Sequence, residues 1–337
     1  MPVYNSEAFL EKCLHSLVSQ KLQEIEIVIV NDGSTDNSDL IIQNFLRVDK
    51  RIKYINFPEN RGTFYARMTG FLSSKGTFIG TVDSDDWVDE TTFIKMYDLA
   101  VKENIDIVEC RLWSVDSNFQ RRTLSWADHR FHNFIGINIL TNVLNRNIWH
   151  IAANKIFHRK LLEMNIEFYK SVNDKIVVAD DKLITLPMFF YAESYKLIKE
   201  RLYFYRYRDE SASNNRVISH DFRHIQDTYN VDKHLNYFFE VQGNDQILQL
   251  FKKNSDHEIK LIFRNISTYP KSSCDRNYLY KAMIRIYKDK CLSVLHDDFE
   301  LATYTKNTPI KINSLIEKLT WHFKIILKNI WLFLFQK

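Results

Sequence analysis

A chain of 337 residues that is 45% hydrophobic and 26% charged, with few glycines and prolines, has the composition of an ordered globular protein and excludes a disordered one. It is long enough for one large domain with an appendage, or for two domains. The net charge of +4 is unevenly placed: residues 311–337 hold Lys311, Lys318, Lys324, Lys328 and Lys337 against Glu317 alone, so the remainder is nearly neutral and no nucleic-acid partner is expected. Cys13, Cys110, Cys274 and Cys291 are widely spaced and form no C-x-x-C pair, which argues against a disulfide framework or zinc site and fits a reducing cytoplasm. The start "MPVYNSEAFLEKCL" lacks the basic residues and apolar run of a signal peptide, so export by that route is not expected.

The first hundred residues alternate between strand and helix patterns. Helical spacing of Phe9, Leu10, Cys13, Leu14 and Leu17 predicts a helix over "EAFLEKCLHSLVSQ", and the β-branched run "EIEIVIV" predicts a buried parallel strand. Helix "SDLIIQNFLR", strand "IKYINF", helix "GTFYARMTGFLSS" and strand "TFIGTV" follow, a doubly wound α/β pattern in which ligands bind beyond the carboxyl ends of the strands. Residues from about 90 to 215 are mixed: helix "TTFIKMYDLAVKE", strand "IDIVECRLW", a helix near "GINILTNVLN", and the segment "ANKIFHRKLLEMN". From about 220 to 300 the pattern is mostly helical, and "TKNTPIK" reads as a hinge before the tail.

Two acidic groups follow apolar runs. In "TVDSDDWVDE", Asp83, Asp85 and Asp86 crowd together with no lysine or arginine beside them. Oxygen-only ligation of this kind suits Mg²⁺ or Mn²⁺ bridged to substrate phosphates, and Asp83 and Asp85 would point the same way if the strand continued that far. The competing reading is a solvated turn capping the next helix. Asp180 and Asp181 in "KIVVADDKLIT" read either as helix caps or as a carboxylate held against an apolar wall, as a general base requires. In "VNDGSTDNS", Asp32 or Asn31 could accept hydrogen bonds from a ligand, whereas Ser34, Thr35 and Asp36 equally suit a turn and cap. Arg67 falls on the first turns of a helix at the same edge. "ERLYFYRYRDESAS" alternates as a strand would and puts Arg206 and Arg208 on one face, which binds diphosphate or is simply exposed. Of the tryptophans, Trp87 adjoins the acidic group and is suited to stacking on a sugar ring; Trp113, Trp126 and Trp149 are equally suited to a core.

Taken in order, "PVYN", "EIVIVNDGSTDNS", "NRGTFYAR", "VDSDDW", "ANKIFHRKLL", "ADDKL" and "YFYRYRDESAS" resemble the family 2 glycosyltransferases over residues 1 to about 215, most closely the bacterial branch that builds capsule, O-antigen and exopolysaccharide. The resemblance implies an α/β, GT-A (Rossmann-like) fold, to which the residue pattern adds a mostly helical C-terminal extension. Over its span the resemblance implies a nucleotide-sugar-binding half (1–110) and an acceptor-binding half (111–215); beyond it, the residue pattern alone gives the helical extension (216–304) and a basic amphipathic helix (311–337). The resemblance further implies an inverting, metal-dependent transfer from a nucleotide-diphosphate donor, UDP-sugar by family habit, to a glycan or polyprenyl-linked acceptor. Pro2, Val3, Tyr4, Asp32 and Arg67 would line the base pocket, with Ser84, Trp87, Arg206 and Arg208 also on the donor. Asp83 would contact the ribose or metal shell, Asp85 would ligate Mn²⁺ or Mg²⁺, and Asp181 would be the catalytic base with Asp180 its neighbour.

Two departures stand out. Relatives carry apolar residues before "PVYN" that form the first central strand, so either the start lies upstream or the sheet lacks most of a strand. Relatives also place a histidine after the late Tyr-Arg, where Arg208, His220 or His224 would have to serve. The tail has an apolar helical stripe interrupted by Lys324, Lys328 and His322, which fits an interfacial helix on the inner face of the plasma membrane, or a packed helix, better than a membrane span. A metal-dependent nucleotidyltransferase would show a phosphate loop near its first strand, which "PVYNSEAF" does not. An inactive carbohydrate-binding or assembly protein is the nonenzymatic alternative.

Overall fold

The β-branched run "IVIVN" forms β2 (Ile27–Asn31), buried along its whole length as a central parallel strand must be. It lies between β1 (Pro2–Val3) and β3 (Ile52–Asn56) in a three-stranded parallel sheet. Helices α1 (Glu7–Val18), α2 (Ser38–Leu46) and α3 (Thr63–Ser73) alternate with these strands, within two residues of the predicted ends. The computed structural model describes residues 1–123, 133–136, 138–207, 218–267 and 286.

The chain then leaves the parallel pattern. Strand β4 (Phe78–Gly80) pairs antiparallel with β9 (Lys155–His158), which pairs antiparallel with β6 (Ile107–Val115). Parallel to β6 runs β10 (Ser194–Arg206), which carries β5 (Trp87–Val88) on its far side, while β7 (Arg121–Arg122) joins β6 and β8 (Asn133–Ile135) joins β10. Register shifts after Ile198 and Arg201 interrupt the strict alternation expected toward Arg206. Helix α4 (Thr92–Glu103) covers β6, and α5 (Asn138–Leu144), α6 (Arg159–Glu163), α7 (Ile166–Ser171) and α8 (Asp180–Tyr191) form the other layer.

The doubly wound reading of the first hundred residues therefore holds through α3 and changes at β4. With two residues, β1 pairs with β2 and, among the described residues, with no strand on its other side. A cavity of about 360 Å³ lies between β2 and β4, lined by Met1, Ile27, Val28, Phe78 and Ile79. The Met1 ammonium donates to Val28 O at 2.8 Å, and burial, with Arg67 nearby, lowers its pKa to about 5. One apolar core nevertheless joins both sheets, from Val3, Ile27 and Ile29 to Val82, Val88 and Val108.

Two long helices follow, α9 (Ile218–Val241) and α10 (Asp245–Ser267), so the helical extension is present as far as it is described. One compact unit comprises Met1–Arg216 with Asn230–Phe251; the other begins with Val217–Tyr229 and resumes at Lys252. Within the first unit, Val231, Leu235, Phe238 and Phe239 join the core under α8, and Lys182 pairs with buried Asp232 at 2.8 Å. Of the mostly helical pattern expected up to residue 300, the part beyond 267 lies outside the described residues except for residue 286, as do Arg208, Trp126, the 311–337 tail and the side chain of His220. No helix among the described residues is long and apolar enough to cross a membrane.

Candidate active site

Three elements converge at one edge of the first unit. From α3 comes Arg67, buried at 4% exposure; from the loop after β4 comes Asp83; from the first turn of α8 come Asp180 and Asp181. Arg67 Nη2 donates to Asp83 Oδ1 at 2.7 Å, while Nη1 donates to Asp181 Oδ1 and lies 3.0 Å from Asp180 Oδ2. One guanidinium thus serves three carboxylates, two of which, Asp83 and Asp181, are about a third exposed at 34% and 29%.

Burial dominates the electrostatics. It pushes the Asp83 carboxyl up to about 6 and Asp180 up to about 7; Arg67 pulls both down, and the neighbouring carboxylates push both further up. Burial also opposes the charge on Arg67, but the fields of Asp180, Asp181 and Asp83 outweigh it and raise its pKa. The cluster holds more negative than positive charge around a buried guanidinium, with two of its carboxyls partly open to solvent.

The sequence left open whether Asp83 and Asp85 continue a strand, and whether Asp180 or Asp181 is a cap. Asp86 N donates to Asp83 O at 3.0 Å, so a turn, not strand alternation, sets the two aspartates. The cap position of α8 belongs to Ala179, in the left-handed region at φ 63°, and both aspartates sit in the first helical turn. A non-glycine residue held there is strained, and acidic residues in a first turn are favoured by the helix dipole. Asp181 Oδ1 also accepts from Ala152 N at 3.2 Å, which ties it to the segment before β9.

Asp32 is 2% exposed, and its oxygens accept from Arg61 N at 2.7 Å and Gly62 N at 2.9 Å. Burial nonetheless raises its pKa. It fixes the entry to α3 and so the height of Arg67. Gly62 has φ 98°, and a Cβ there would lie 2.7 Å from Ile176 O; Gly33 has φ 69° with Glu59 C 2.5 Å from such a Cβ. Pro2 and Val3 are buried in β1 and Tyr4 is exposed beside them. Ser84 Oγ lies 2.7 Å from Ser6 Oγ. Asp36 does act as a turn acceptor, from Ser38 N at 3.0 Å and Glu7 N at 2.9 Å.

The sequence placed Asp86 in the acidic group without a partner and did not single out Tyr203, and these two anchor the turn. Asp86, 2% exposed, accepts from Tyr203 Oη and from Arg206 N, each at 2.7 Å, and Asp83 N donates to Tyr203 Oη at 3.3 Å. Together they clamp the acidic turn onto the end of β10, so the third aspartate of "DSDD" is structural in its contacts. Arg206 Nε donates to Asp85 O at 2.8 Å, and its guanidinium lies 4.9 Å from the Trp87 ring. His224 is exposed on the part of α9 that belongs to the other unit. Among the described residues, no three His, Cys, Asp or Glu side chains converge as a complete metal cage.

A likeness to solved structures fixes the fold class first. S. aureus TarS 1–349 in complex with UDP-GlcNAc superposes with a TM-score of 0.53, at 18% identity, over 88% of this chain and 90% of that one. A mannosyltransferase from Pyrobaculum calidifontis in complex with GDP-Man and Mn²⁺ gives 0.50, at 14% identity, over 91% and 85%. The fold is the α/β GT-A fold of glycosyltransferases. Residues 1–164 match the glycosyl transferase family 2 pattern, so the similarity to that family covers just under half of the chain. Curated relatives agree: Bacillus subtilis "Uncharacterized glycosyltransferase EpsJ" is 34% identical over 61% of this chain, and Streptococcus pneumoniae "Glycosyltransferase GlyA" is 42% identical over 35% of it. The aligned part spans 59% of EpsJ and 17% of GlyA.

Proposed function

We propose that the chain transfers a sugar from a nucleotide-diphosphate donor, in the first instance a UDP-sugar, to a glycan or lipid-linked glycan acceptor during surface-polysaccharide synthesis. The observation that carries this reading is the cluster of three carboxylates on the single buried guanidinium of Arg67, at the ligand-binding edge of a GT-A fold. The complexes of structural neighbours with UDP-GlcNAc and GDP-Man support a nucleotide-sugar donor.

The residues present fit a divalent cation of a particular kind. Asp83 and Asp85 offer hard oxygens at one turn but not a complete cage, which suits an ion that takes its remaining ligands from a diphosphate and water. In this reading Asp85 and Asp83 hold Mn²⁺ or Mg²⁺, and the bound ion neutralises the charge that builds on the leaving diphosphate. Pro2, Val3, Tyr4, Asp32 and Ser84 border the nucleotide, and Arg206 approaches the diphosphate.

Asp181 is the base. Both its bonds, from Arg67 and Ala152, go to Oδ1. Oδ2 accepts the proton of the acceptor hydroxyl, whose oxygen bonds to the anomeric carbon as the bond from that carbon to the diphosphate oxygen breaks. The electron pair leaves with the diphosphate, and configuration inverts. Asp180 and Arg67 orient Asp181. The tail 311–337 rests on the anionic inner face of the plasma membrane, where a lipid-linked acceptor would be found; deleting it should release the chain from anionic liposomes, and unchanged sedimentation would make it a packing element.

The test is incubation of the purified chain with UDP-, GDP- and dTDP-sugars and Mn²⁺, with chromatographic detection of free nucleoside diphosphate. Slow hydrolysis of one donor class is expected. Absence of hydrolysis and of binding for all of them would favour a carbohydrate-binding or assembly role.

A further inference from the structure

Beyond the acidic turn, two cations have no carboxylate partner among the described residues. Lys12, on α1, holds Nζ 3.4 Å from the centroid of the Trp87 ring and 4.4 Å from that of Phe119. Arg121, on β7, lies 4.9 Å over Phe204, and Trp87 and Phe204 stack 5.4 Å apart with 3° between their planes. Among the described residues these aromatic faces are the contacts that either cation is given, and an exposed cation–π contact is worth only about 0.5–1 kcal/mol. Partial burial, and then the fields of Arg206 and Arg121, lower the Lys12 pKa, as expected of a cation placed among cations. An arrangement that gathers positive charge at the cost of self-repulsion is one built to receive an anion.

We infer that Lys12 and Arg121, beside the exposed ring of Phe119 and backed by the stacked Trp87–Phe204 pair, form a subsite for a phosphate-bearing glycan acceptor. Phosphoryl oxygens meet the two cations in charge-assisted hydrogen bonds, while a sugar C–H face lies on the Phe119 ring. Phe119 is exposed at 61% and Trp87 is half-buried, while Phe204 is buried at 7% beneath them, so Phe119 is the ring that faces solvent. The position favours the acceptor over the donor. Trp87 opens β5 at the exit of the acidic turn, whereas Arg67 holds Asp83 at its entrance, and Phe119 and Arg121 come from the connection and strand that follow β6. The subsite touches the donor side only through Arg206, which bonds Asp85 O and faces Trp87. This inference rests on the donor reading given above.

The shared chemistry is a phosphoryl group, from either a phosphodiester-linked glycan backbone or the diphosphate of a carrier lipid. The test titrates the full chain, in excess UDP and Mn²⁺, with a short glycerol-phosphate oligomer, with farnesyl diphosphate and with a neutral oligosaccharide. Wild type should bind at least one phosphorylated probe, with affinity falling as salt rises; the better probe identifies the source. Lys12→Gln with Arg121→Gln should weaken that binding at least tenfold and leave the neutral probe unchanged, and Lys12→Arg should retain it. No binding of either phosphorylated probe, or equal binding by the double variant, overturns the subsite. A UDP-sugar titration of the same wild-type sample separates the two readings. Donor binding without phosphoryl binding overturns the subsite alone; phosphoryl binding without donor binding overturns the donor reading alone.

Discussion

Two buried cation–carboxylate clusters lie in the same unit and are built on opposite terms. Between β6 and β9, Lys155 Nζ meets Glu109 Oε2 at 3.0 Å with both side chains almost wholly buried, Tyr195 Oη donates to the same oxygen at 2.9 Å, and Asn154 bonds both members of the pair. Charges cancel and the polar groups are matched, which is how an interior tolerates ions. Around Arg67 one positive charge faces three negative ones, and two of the carboxyls open to solvent. A balanced cluster leaves no charge to be met; an unbalanced one at the rim of a GT-A fold is, in the function proposed above, where a cation and a proton would be taken up.

That contrast can be broken in order of expected effect. Glu109→Ala should cost about 3–5 kcal/mol, because Lys155 is left charged and unpartnered in the core; a urea transition that barely moves would show that water or a neighbour replaces Glu109. Asp181→Asn should instead leave folding intact and reduce sugar transfer by about 10²–10⁴-fold, the usual span for a general base, with donor affinity retained. A variant that still turns over would move the base to Asp180 or elsewhere.

Asp180→Asn should reverse the sign seen at Glu109. Removing one of three crowded carboxylates from a buried site should raise stability at pH 8 or leave it unchanged, as read by thermal melting; a large loss would show that Asp180 is a structural partner of Arg67. The smallest effect is a pH slope. Folded pKa values of about 6 for Asp83 and about 7 for Asp180 lie above the unfolded carboxylate value, so the folded state binds more protons. Their contribution to stability is complete below about pH 4 and is lost as pH rises through about 7. Stability measured at pH 5 should therefore exceed that at pH 7.5, and Asp180→Asn should flatten the slope; a wild-type slope of opposite sign would contradict the crowding.

The acidic runs were legible in the sequence because each follows an apolar run, and an apolar run that ends in carboxylates marks a strand or helix end. The regular part of the fold was legible for the same reason, from Ile27–Asn31 through α3. What holds the site together was not. Arg67 meets Asp181 across 114 positions, and Tyr203 meets Asp86 across 117, pairings that only the tertiary fold brings about. The departure of β4 from the parallel sheet was hidden too, since "TFIGTV" reads alike in either pairing direction, and β1, two residues long, does not reach it. Nothing in the sequence sets Lys12 apart, because only the fold brings its ammonium over the Trp87 ring, 75 positions away.

The central claim is that the carboxylates gathered at Arg67 and Asp85 serve a metal-bound nucleotide sugar. Its most direct test is calorimetric titration of wild type and Asp85→Ala with UDP-, GDP- and dTDP-sugars, with Mn²⁺ present and then removed by chelation. One nucleotide class should bind wild type only with the cation, and Asp85→Ala should lose that binding. Binding indifferent to both Mn²⁺ and Asp85, or no binding by wild type to any nucleotide sugar, would contradict the account.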